Sequence, residues 1–88
     1  MRDKGNKRYC AYAIQSKVTG RIYIGQTDCL ERRIQEHNHE RAKSTRREGP
    51  WIVVATEFFL EESKARWLES CLKRSRGKRL EWLDKHKV

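Results

Sequence analysis

The amino-acid sequence predicts a small α/β (α+β) domain in which a three-stranded antiparallel sheet carries helices on both faces. Strand-like runs cover residues 9–15, 21–26 and 51–59, and helix-like periodicity follows the second and third runs. The third run is apolar almost throughout, which is typical of a strand buried on both faces. The chain has 88 residues, which leaves room for one domain with one core, spanning 1–88.

The first two strands, Tyr9–Gln15 and Arg21–Gln26, are predicted to form a hairpin. Residues 16–19, with Gly20 directly after them, are typical of a short connection. If four residues form the loop, Gln15 pairs with Gly20, and Tyr12 pairs with Tyr23. Directly opposed residues point to the same face, so this pairing would place two phenols side by side. A slip of one residue would separate them.

A helix is predicted over Asp28–Glu40, directly after the second strand. Asp28 is the expected N-cap, because Glu31 three residues later completes the spacing of a capping box. Leu30 and Ile34 share one face of this helix, as residues four apart do. That face is therefore expected to pack on the sheet.

Arg33 and His37 lie one helical turn apart, beside that apolar face rather than opposite it. The head of a long cation that borders the core must find an anion or water, and a phosphodiester would serve. A basic loop follows between residues 41 and 50. Its cations either stay solvated or contact phosphate, and three of them are candidates for phosphate contact: Lys43, Arg46 and Arg47.

Two further helices are predicted after the third strand, Trp51–Phe59. The first opens at residues 61–62 and runs to about Ser75. Glu69 falls at the edge of its apolar stripe, whereas Trp67 points away from it and is expected to pack on the last helix, cap the surface or stack on a base. The stripe itself consists of Ala65, Leu68 and Leu72.

The last helix is predicted over Lys78–Lys85, with Leu80 and Leu83 buried, and Gly77 as the signal that ends the preceding helix. Five cations without an acid surround this glycine, which exceeds what a helix dipole alone explains. Three of the five are expected to contact nucleic acid: Lys73, Arg74 and Arg76.

The composition favours a nucleic-acid partner. The formal net charge is +9, which indicates at least adhesion to polyanions and more specifically binding of nucleic acid. Residues 1–8 form a basic segment that is expected to fray, and neither a signal peptide nor a membrane span is expected, so we expect the protein in the cytoplasm, at the nucleoid when bound. The three cysteines lack the close spacing of a disulfide framework or a zinc site.

The order of these motifs resembles the GIY-YIG nuclease domain, and within it the small stand-alone members of UPF0213 type. Cys10-Ala11-Tyr12 stands where the family has its first motif and keeps only the tyrosine, while Tyr23-Ile24-Gly25 is an intact second motif. The helix then carries an arginine and a histidine at the family's positions, and Glu69 follows later. The resemblance covers about residues 9–80.

This resemblance implies metal-dependent hydrolysis of DNA phosphodiester bonds with weak sequence specificity. Tyr23 would be the general base and Tyr12 would orient or assist it. Arg33 would hold the scissile phosphate through its forked donors. Glu69 would bind a single Mg²⁺ or Mn²⁺ ion, whose other ligands would be waters and phosphate oxygens.

Two more positions follow from the resemblance. His37 stands where family members carry a tyrosine or histidine, and could assist the deprotonation of a phenol. Gly25 would let the backbone approach the phosphate closely. Larger family members also have an asparagine beyond the glutamate, which this chain lacks after Glu69. Activity could therefore be weak or depend on an added partner.

Two alternative functions remain open from the sequence. The chain could be a non-catalytic nucleic-acid-binding module on a nuclease scaffold, in which Arg33 and Glu69 form only a salt bridge. It could also be an interaction protein whose basic face docks an acidic partner or RNA. We expect DNA as the partner, including branched or damaged DNA, with RNA as the open alternative, no membrane, and a monomeric protein.

Overall fold

The strands form a single three-stranded sheet with the order β2-β1-β3, antiparallel at both junctions. The structure, a computed structural model, describes residues 8–39, 45 and 47–88. The elements are β1 (Tyr9–Ser16), β2 (Ile22–Thr27), α1 (Leu30–Asn38), β3 (Trp51–Phe59), α2 (Glu62–Arg74) and α3 (Arg76–His86). The predicted fold class is confirmed, and each strand bound lies within one residue of its prediction.

Helices cover both faces of the sheet, as predicted. On one face, Leu72 of α2 and Trp82 of α3 pack against small strand residues: Ala11, Ala13 and Ala55. On the other face, Leu30 and Ile34 of α1 pack against larger ones: Cys10, Tyr12, Ile14 and Trp51. Successive residues of a strand point to opposite faces, so β1 contributes alternately to the two layers.

The predicted pairing of β1 with β2 is wrong by two residues. Tyr12 pairs with Gly25 and Tyr23 pairs with Ile14, because the four-residue connection covers residues 17–20 instead of 16–19. Ser16 N–H donates to the Arg21 carbonyl (3.0 Å), and Gly20 N–H donates to the Ser16 carbonyl (2.9 Å), which closes the turn. A shift of two residues preserves the face of each side chain, so both tyrosines still point toward α1.

The predicted capping box at the start of α1 is also wrong. Cys29 occupies the N-cap position and its side chain makes no capping bond. Instead, Thr27 Oγ1 accepts from Cys29 N–H (3.1 Å) and holds the turn at the end of β2. Asp28 accepts a hydrogen bond from Arg32 one turn later (3.1 Å). The predicted last residue of this helix, Glu40, lies outside the described residues.

The break between α2 and α3 falls at Ser75, not at Gly77. Ser75 is extended and caps α3, since its Oγ accepts from Lys78 N–H (3.2 Å), and Gly77 lies inside α3. Trp82, not Leu80, is the residue of α3 that is buried, because its ring packs on the sheet while its indole N–H donates to Glu57 (2.9 Å). None of the helices within the described ranges combines the length and apolarity needed to cross a bilayer.

The tryptophan on α2 does not pack on the last helix, which was the first of the three environments predicted for it. Trp67 is 64% exposed and borders a groove between α2 and α3 instead of being covered by α3. Beyond α3, an isolated antiparallel bridge joins Ala55 to Lys87, and Val88 N–H donates to the Val54 carbonyl (3.1 Å). These last residues therefore lie against the outer edge of β3.

Candidate active site

A buried chain of three polar side chains lies between β1 and α1. The Tyr12 hydroxyl is hydrogen-bonded to His37 Nε2 (2.8 Å), and His37 Nδ1 is hydrogen-bonded to Thr45 Oγ1 (2.7 Å). Tyr12 is 1% exposed, and His37 and Thr45 are fully buried. His37 is therefore not the surface histidine that its helix position alone would predict, and its ring contacts Tyr12 instead of solvent.

Gly25 makes room for this arrangement. It lies opposite Tyr12 in the sheet, and a Cβ atom at Gly25 would lie 2.5 Å from the Tyr12 hydroxyl oxygen. The phenol of Tyr12 thus occupies the space that any other residue at position 25 would fill. This steric reason differs from the approach of phosphate inferred from the family; the contact of Gly25 with phosphate remains a prediction.

Burial determines the protonation of this chain. Burial and, to a smaller extent, the nearby positive charge of Arg33 together lower the pKa of His37 to about 4. His37 is therefore a neutral imidazole at pH 7. Burial also raises the pKa of Tyr12 to about 12, although the Arg33 guanidinium counteracts the rise. Tyr12 therefore keeps its proton at neutral pH.

Tyr23 lies next to this chain on β2. Its ring centroid is 5.2 Å from that of His37, in an edge-to-face contact. The ammonium group of Lys73 lies 5.6 Å from the centre of the Tyr23 ring. Tyr23 is half-buried and lines an open groove, whereas Tyr12 is enclosed. The two tyrosines thus share a face but differ in their access to solvent.

Arg33 lies on α1 at the border between this buried chain and solvent. Its Nη1 donates to Glu36 (2.7 Å), and this bond is the main cause that raises the pKa of the guanidinium, so Arg33 stays charged. The bond also lowers the pKa of Glu36. Arg33 lines a groove at the end of β2 together with Gln26 and Asp28. The sequence left open a salt bridge between Arg33 and Glu69. In the structure Arg33 pairs with Glu36 instead, and Glu69 pairs with Lys73.

Glu69 is presented by α2 on the other side of Tyr23. Its carboxylate is 23% exposed and accepts from Lys73 Nζ (2.8 Å). Its charge is one of the influences that raise the pKa of Tyr12, so it lies within electrostatic range of the buried phenol. In the described part of the chain, no three histidine, cysteine or acidic side chains cluster as metal ligands. A single hard carboxylate nevertheless fits Mg²⁺, which keeps several waters.

A cationic groove extends from Tyr23 along α2 and α3. It has a volume of about 470 Å³, and four cations line it: Arg21, Lys73, Arg76 and Arg79. The described residues that line it include no acid, whereas the groove beside Arg33 contains Asp28, Glu36 and Glu62. Arg74 and Arg47 are exposed, Arg47 in a left-handed conformation (φ 71°). Lys43 and Arg46 lie outside the described residues.

Two residues near the site were not identified from the sequence. Thr45 bonds to His37, and its carbonyl accepts from the Trp51 indole N–H (3.1 Å). Asn38 accepts from Trp51 N–H (2.6 Å) and donates to the Trp51 carbonyl (3.2 Å), which ties α1 to β3. Spacing gives no signal for either contact, since both join α1 to residues beyond the helix.

Comparison with known proteins gives a family model and a solved structure that each match most of the chain, and a further relative that matches about half of it. Residues 8–81 match the model of the GIY-YIG catalytic domain. A UPF0213 protein of Bacillus halodurans, solved in solution by NMR, superposes with a TM-score of 0.56 at 33% identity over 88% of this chain and 83% of that one. A structure-specific endonuclease subunit SLX1 homolog of Drosophila ananassae is 39% identical over an alignment of 49 residues, which covers 51% of this chain but only 16% of that protein.

Proposed function

The chain belongs to the GIY-YIG catalytic domain family, and we propose that it is a metal-dependent endonuclease that hydrolyses DNA phosphodiester bonds with low sequence specificity. One observation carries the proposal: the Tyr23 and Tyr12 rings both contact the ring of His37, and the charges of Arg33 and Glu69 act on the phenol of Tyr12. These residues come from α1, β2, α2 and β1, and no single element could bring them together. Their convergence supports a chemical site rather than separate structural roles.

Arg33 would bind the scissile phosphate. One of its nitrogens is bonded to Glu36, which orients the guanidinium and leaves further N–H donors for phosphate oxygens. A guanidinium that is already oriented loses less side-chain freedom when it binds. The same cation would stabilise the negative charge that develops on phosphorus as water attacks.

Tyr23 and Tyr12 would divide the proton chemistry between them. Tyr12 is enclosed, keeps its proton and is bonded to His37, so it is suited to hydrogen bonding and orientation. Tyr23 lines the open groove and can reach a water molecule. Once its phenol has released its own proton to solvent, the phenolate would accept the proton of the attacking water. His37, bonded to Tyr12 and fully buried, would act through Tyr12.

Glu69 would hold a divalent metal ion, Mg²⁺ or Mn²⁺. Such an ion would supply Lewis-acid stabilisation of the phosphate and would lower the pKa of water bound to it. Glu69 offers hard oxygen donors at a position that is partly exposed, which suits an ion that retains waters. Lys73 is bonded to the same carboxylate and would have to yield or share it.

The substrate would approach along the cationic groove. Lys73, Arg76 and Arg79 line it and lead to Tyr23, so a nucleic-acid backbone bound there would pass the site. Phosphate contacts position a substrate without reading its sequence, which supports low specificity. The Drosophila relative is a structure-specific endonuclease subunit, so branched DNA belongs among the substrates tested.

Cleavage of supercoiled, branched and single-stranded DNA with Mg²⁺ or Mn²⁺ tests this function. We expect Glu69→Gln to reduce the rate about a thousandfold and Arg33→Ala about a hundredfold, and a chelator to abolish cleavage. Glu81→Gln and Arg66→Ala are matched controls, because both residues are exposed and line neither the groove beside Arg33 nor the cationic groove. Circular dichroism would verify that every variant is folded.

The binding-module alternative makes the opposite prediction. Clean wild-type protein would then cleave none of the substrates with either metal. Glu69→Gln would bind DNA as tightly as the wild type, with the same dependence of affinity on salt. That pair of results would refute the nuclease proposal and retain the nucleic-acid surface.

A further inference from the structure

Thr45 is a buried hydroxyl that the proposed chemistry does not use. It touches His37 Nδ1, while Nε2 of the same ring touches the Tyr12 hydroxyl. A neutral imidazole has one nitrogen that donates and one that accepts. The two hydroxyls can satisfy this ring in two ways, and the ways differ in where the proton of Tyr12 points. In one, Tyr12 donates to Nε2 and Nδ1–H donates to Thr45. In the other, both directions are reversed.

Arg33 distinguishes the two arrangements. A guanidinium can only donate hydrogen bonds, and a hydrogen bond from Arg33 lowers the pKa of Tyr12, so the phenol oxygen is an acceptor toward Arg33. If Nε2–H also donated to this oxygen, the Tyr12 proton would need another acceptor inside a site where Tyr12 is 1% exposed. If Tyr12 donates to Nε2, its contacts with His37 and with Arg33 are both satisfied.

We propose that Thr45 is a positioning residue that accepts a hydrogen bond from His37 Nδ1–H and thereby fixes the tautomer of His37 that accepts from Tyr12. The proton of Tyr12 then points away from the site, and the lone pairs of its oxygen face Arg33 and the substrate side. The effect on catalysis rests on the cleavage function proposed above, whereas the assignment of the His37 tautomer does not depend on it.

Two hydrogen bonds to its backbone carbonyl hold Thr45 in the position that this role requires. Its carbonyl accepts from the Trp51 indole N–H (3.1 Å) and from Glu48 N–H (3.3 Å). Trp51 is itself buried and is tied to α1 through Asn38. The hydroxyl of Thr45 is therefore presented to His37 by a backbone that is anchored from two sides, as a supporting residue of a site requires.

Nitrogen-15 NMR of the imidazole rings tests the proposal, because protonated and unprotonated ring nitrogens have different shifts. The wild type should show His37 with the proton on Nδ1 at pH 7. Thr45→Val, which keeps the shape and removes the hydroxyl, should move the proton to Nε2, and Thr45→Ser should restore the wild-type spectrum. Thr19→Val removes an exposed threonine hydroxyl elsewhere and should leave it unchanged.

Cleavage assays add the consequence for activity. Thr45→Val should lower kcat about tenfold with little change in KM, and Thr45→Ser should stay within about twofold of the wild type. A wild-type His37 protonated on Nε2, or a valine variant with the wild-type tautomer, would overturn the proposal. The wild-type spectrum decides the question even if the valine variant does not fold. An expected spectrum without any cleavage would support the tautomer and refute the nuclease function instead.

Discussion

The two faces of the sheet bury their side chains in different ways. Under α2 and α3 the strands present mainly small apolar residues, such as Ala11, Ala13 and Ala55, which need no hydrogen-bond partners. Under α1 the same sheet buries Tyr12 against His37, together with the hydroxyl of Thr45. Neighbouring residues of β1 therefore serve different purposes, because alternate side chains enter different layers.

This difference separates stability from chemistry. Burial of apolar surface stabilises a fold in proportion to its area, with loose demands on geometry. A buried polar chain gains little net stability, since its bonds replace bonds to water, but it fixes the positions of its members. We therefore expect substitutions under α2 and α3 to act on unfolding, and substitutions under α1 to act on cleavage more strongly than on unfolding.

The largest expected loss of stability is on the apolar face. Leu72→Ala removes a side chain that is 2% exposed and should lower the free energy of unfolding by about 3 kcal/mol. Cleavage by the folded fraction should change little. Urea denaturation at pH 7 measures the first effect, and initial rates at low temperature measure the second.

Leu80→Ala is the matched control for that substitution. Leu80 is 52% exposed, so its truncation should cost less than about 1 kcal/mol. Equal losses for the two leucines would mean that the apolar layer under α2 and α3 does not dominate stability.

The next effect is a dependence of stability on pH that originates on the polar face. Burial lowers the pKa of His37 from 6.5 to about 4, so the unfolded chain binds more protons than the folded chain between these values. The contribution of the neutral His37 is fully present above pH 6.5 and is lost as the pH falls toward 4. The loss amounts to about 3 kcal/mol.

Comparison with His37→Gln isolates this contribution, because glutamine does not titrate. The difference between the pH profiles of the wild type and this variant should rise between pH 4 and 6.5 and be flat above. His86→Gln changes the histidine that stacks on Trp82 on the opposite face, and serves as control. A flat difference for His37→Gln would show that the histidine is not buried in solution.

Controls apart, the smallest effect on stability should come from Gly25→Ala, which should have a disproportionately large effect on cleavage. The added methyl group would collide with the Tyr12 phenol, which costs about 2 kcal/mol and displaces the hydroxyl from His37. Cleavage should fall at least about a hundredfold, since a positioned acid–base group contributes about 10²–10⁴ to the rate. Gly77→Ala is the control, since nothing lies near its Cβ position and α3 should gain up to about 1 kcal/mol. Parallel changes in stability and cleavage for Gly25→Ala would contradict the separation of the two faces.

Alternation and periodicity were enough to predict the strands, the helices on both faces and the face of each tyrosine. The register of the hairpin was not predictable, and the predicted pairing of Tyr12 with Tyr23 was wrong, because the register depends on the hydrogen bonds of Ser16 across the turn. A shift of two residues changed the partner and kept the face.

The side-chain contacts inside the site were harder to predict from the sequence. The positions of Arg33 and His37 on α1 were predictable from the helical period, but the contact of His37 with Thr45 joins a helix to a loop with no periodicity. The choice of Trp82 over Leu80 in α3 likewise depends on the carboxylate of Glu57, which lies 25 residues earlier. Contacts of this kind depend on tertiary geometry, which local pattern does not encode.

The residues beyond α3 have a consequence for association between copies of the chain. An unpaired outer strand offers its free amide and carbonyl groups to any other extended chain, and this is a common origin of aggregation. Lys87 and Val88 occupy part of that position on β3, through the bridge to Ala55 and the bond to Val54. The opposite outer strand, β2, is bordered by the cations of the groove, so a second copy would meet like charge there. Intermolecular strand pairing is thus opposed at both edges of the sheet. At β3 the last residues of the chain take up part of the edge, and at β2 the cations would repel a second copy.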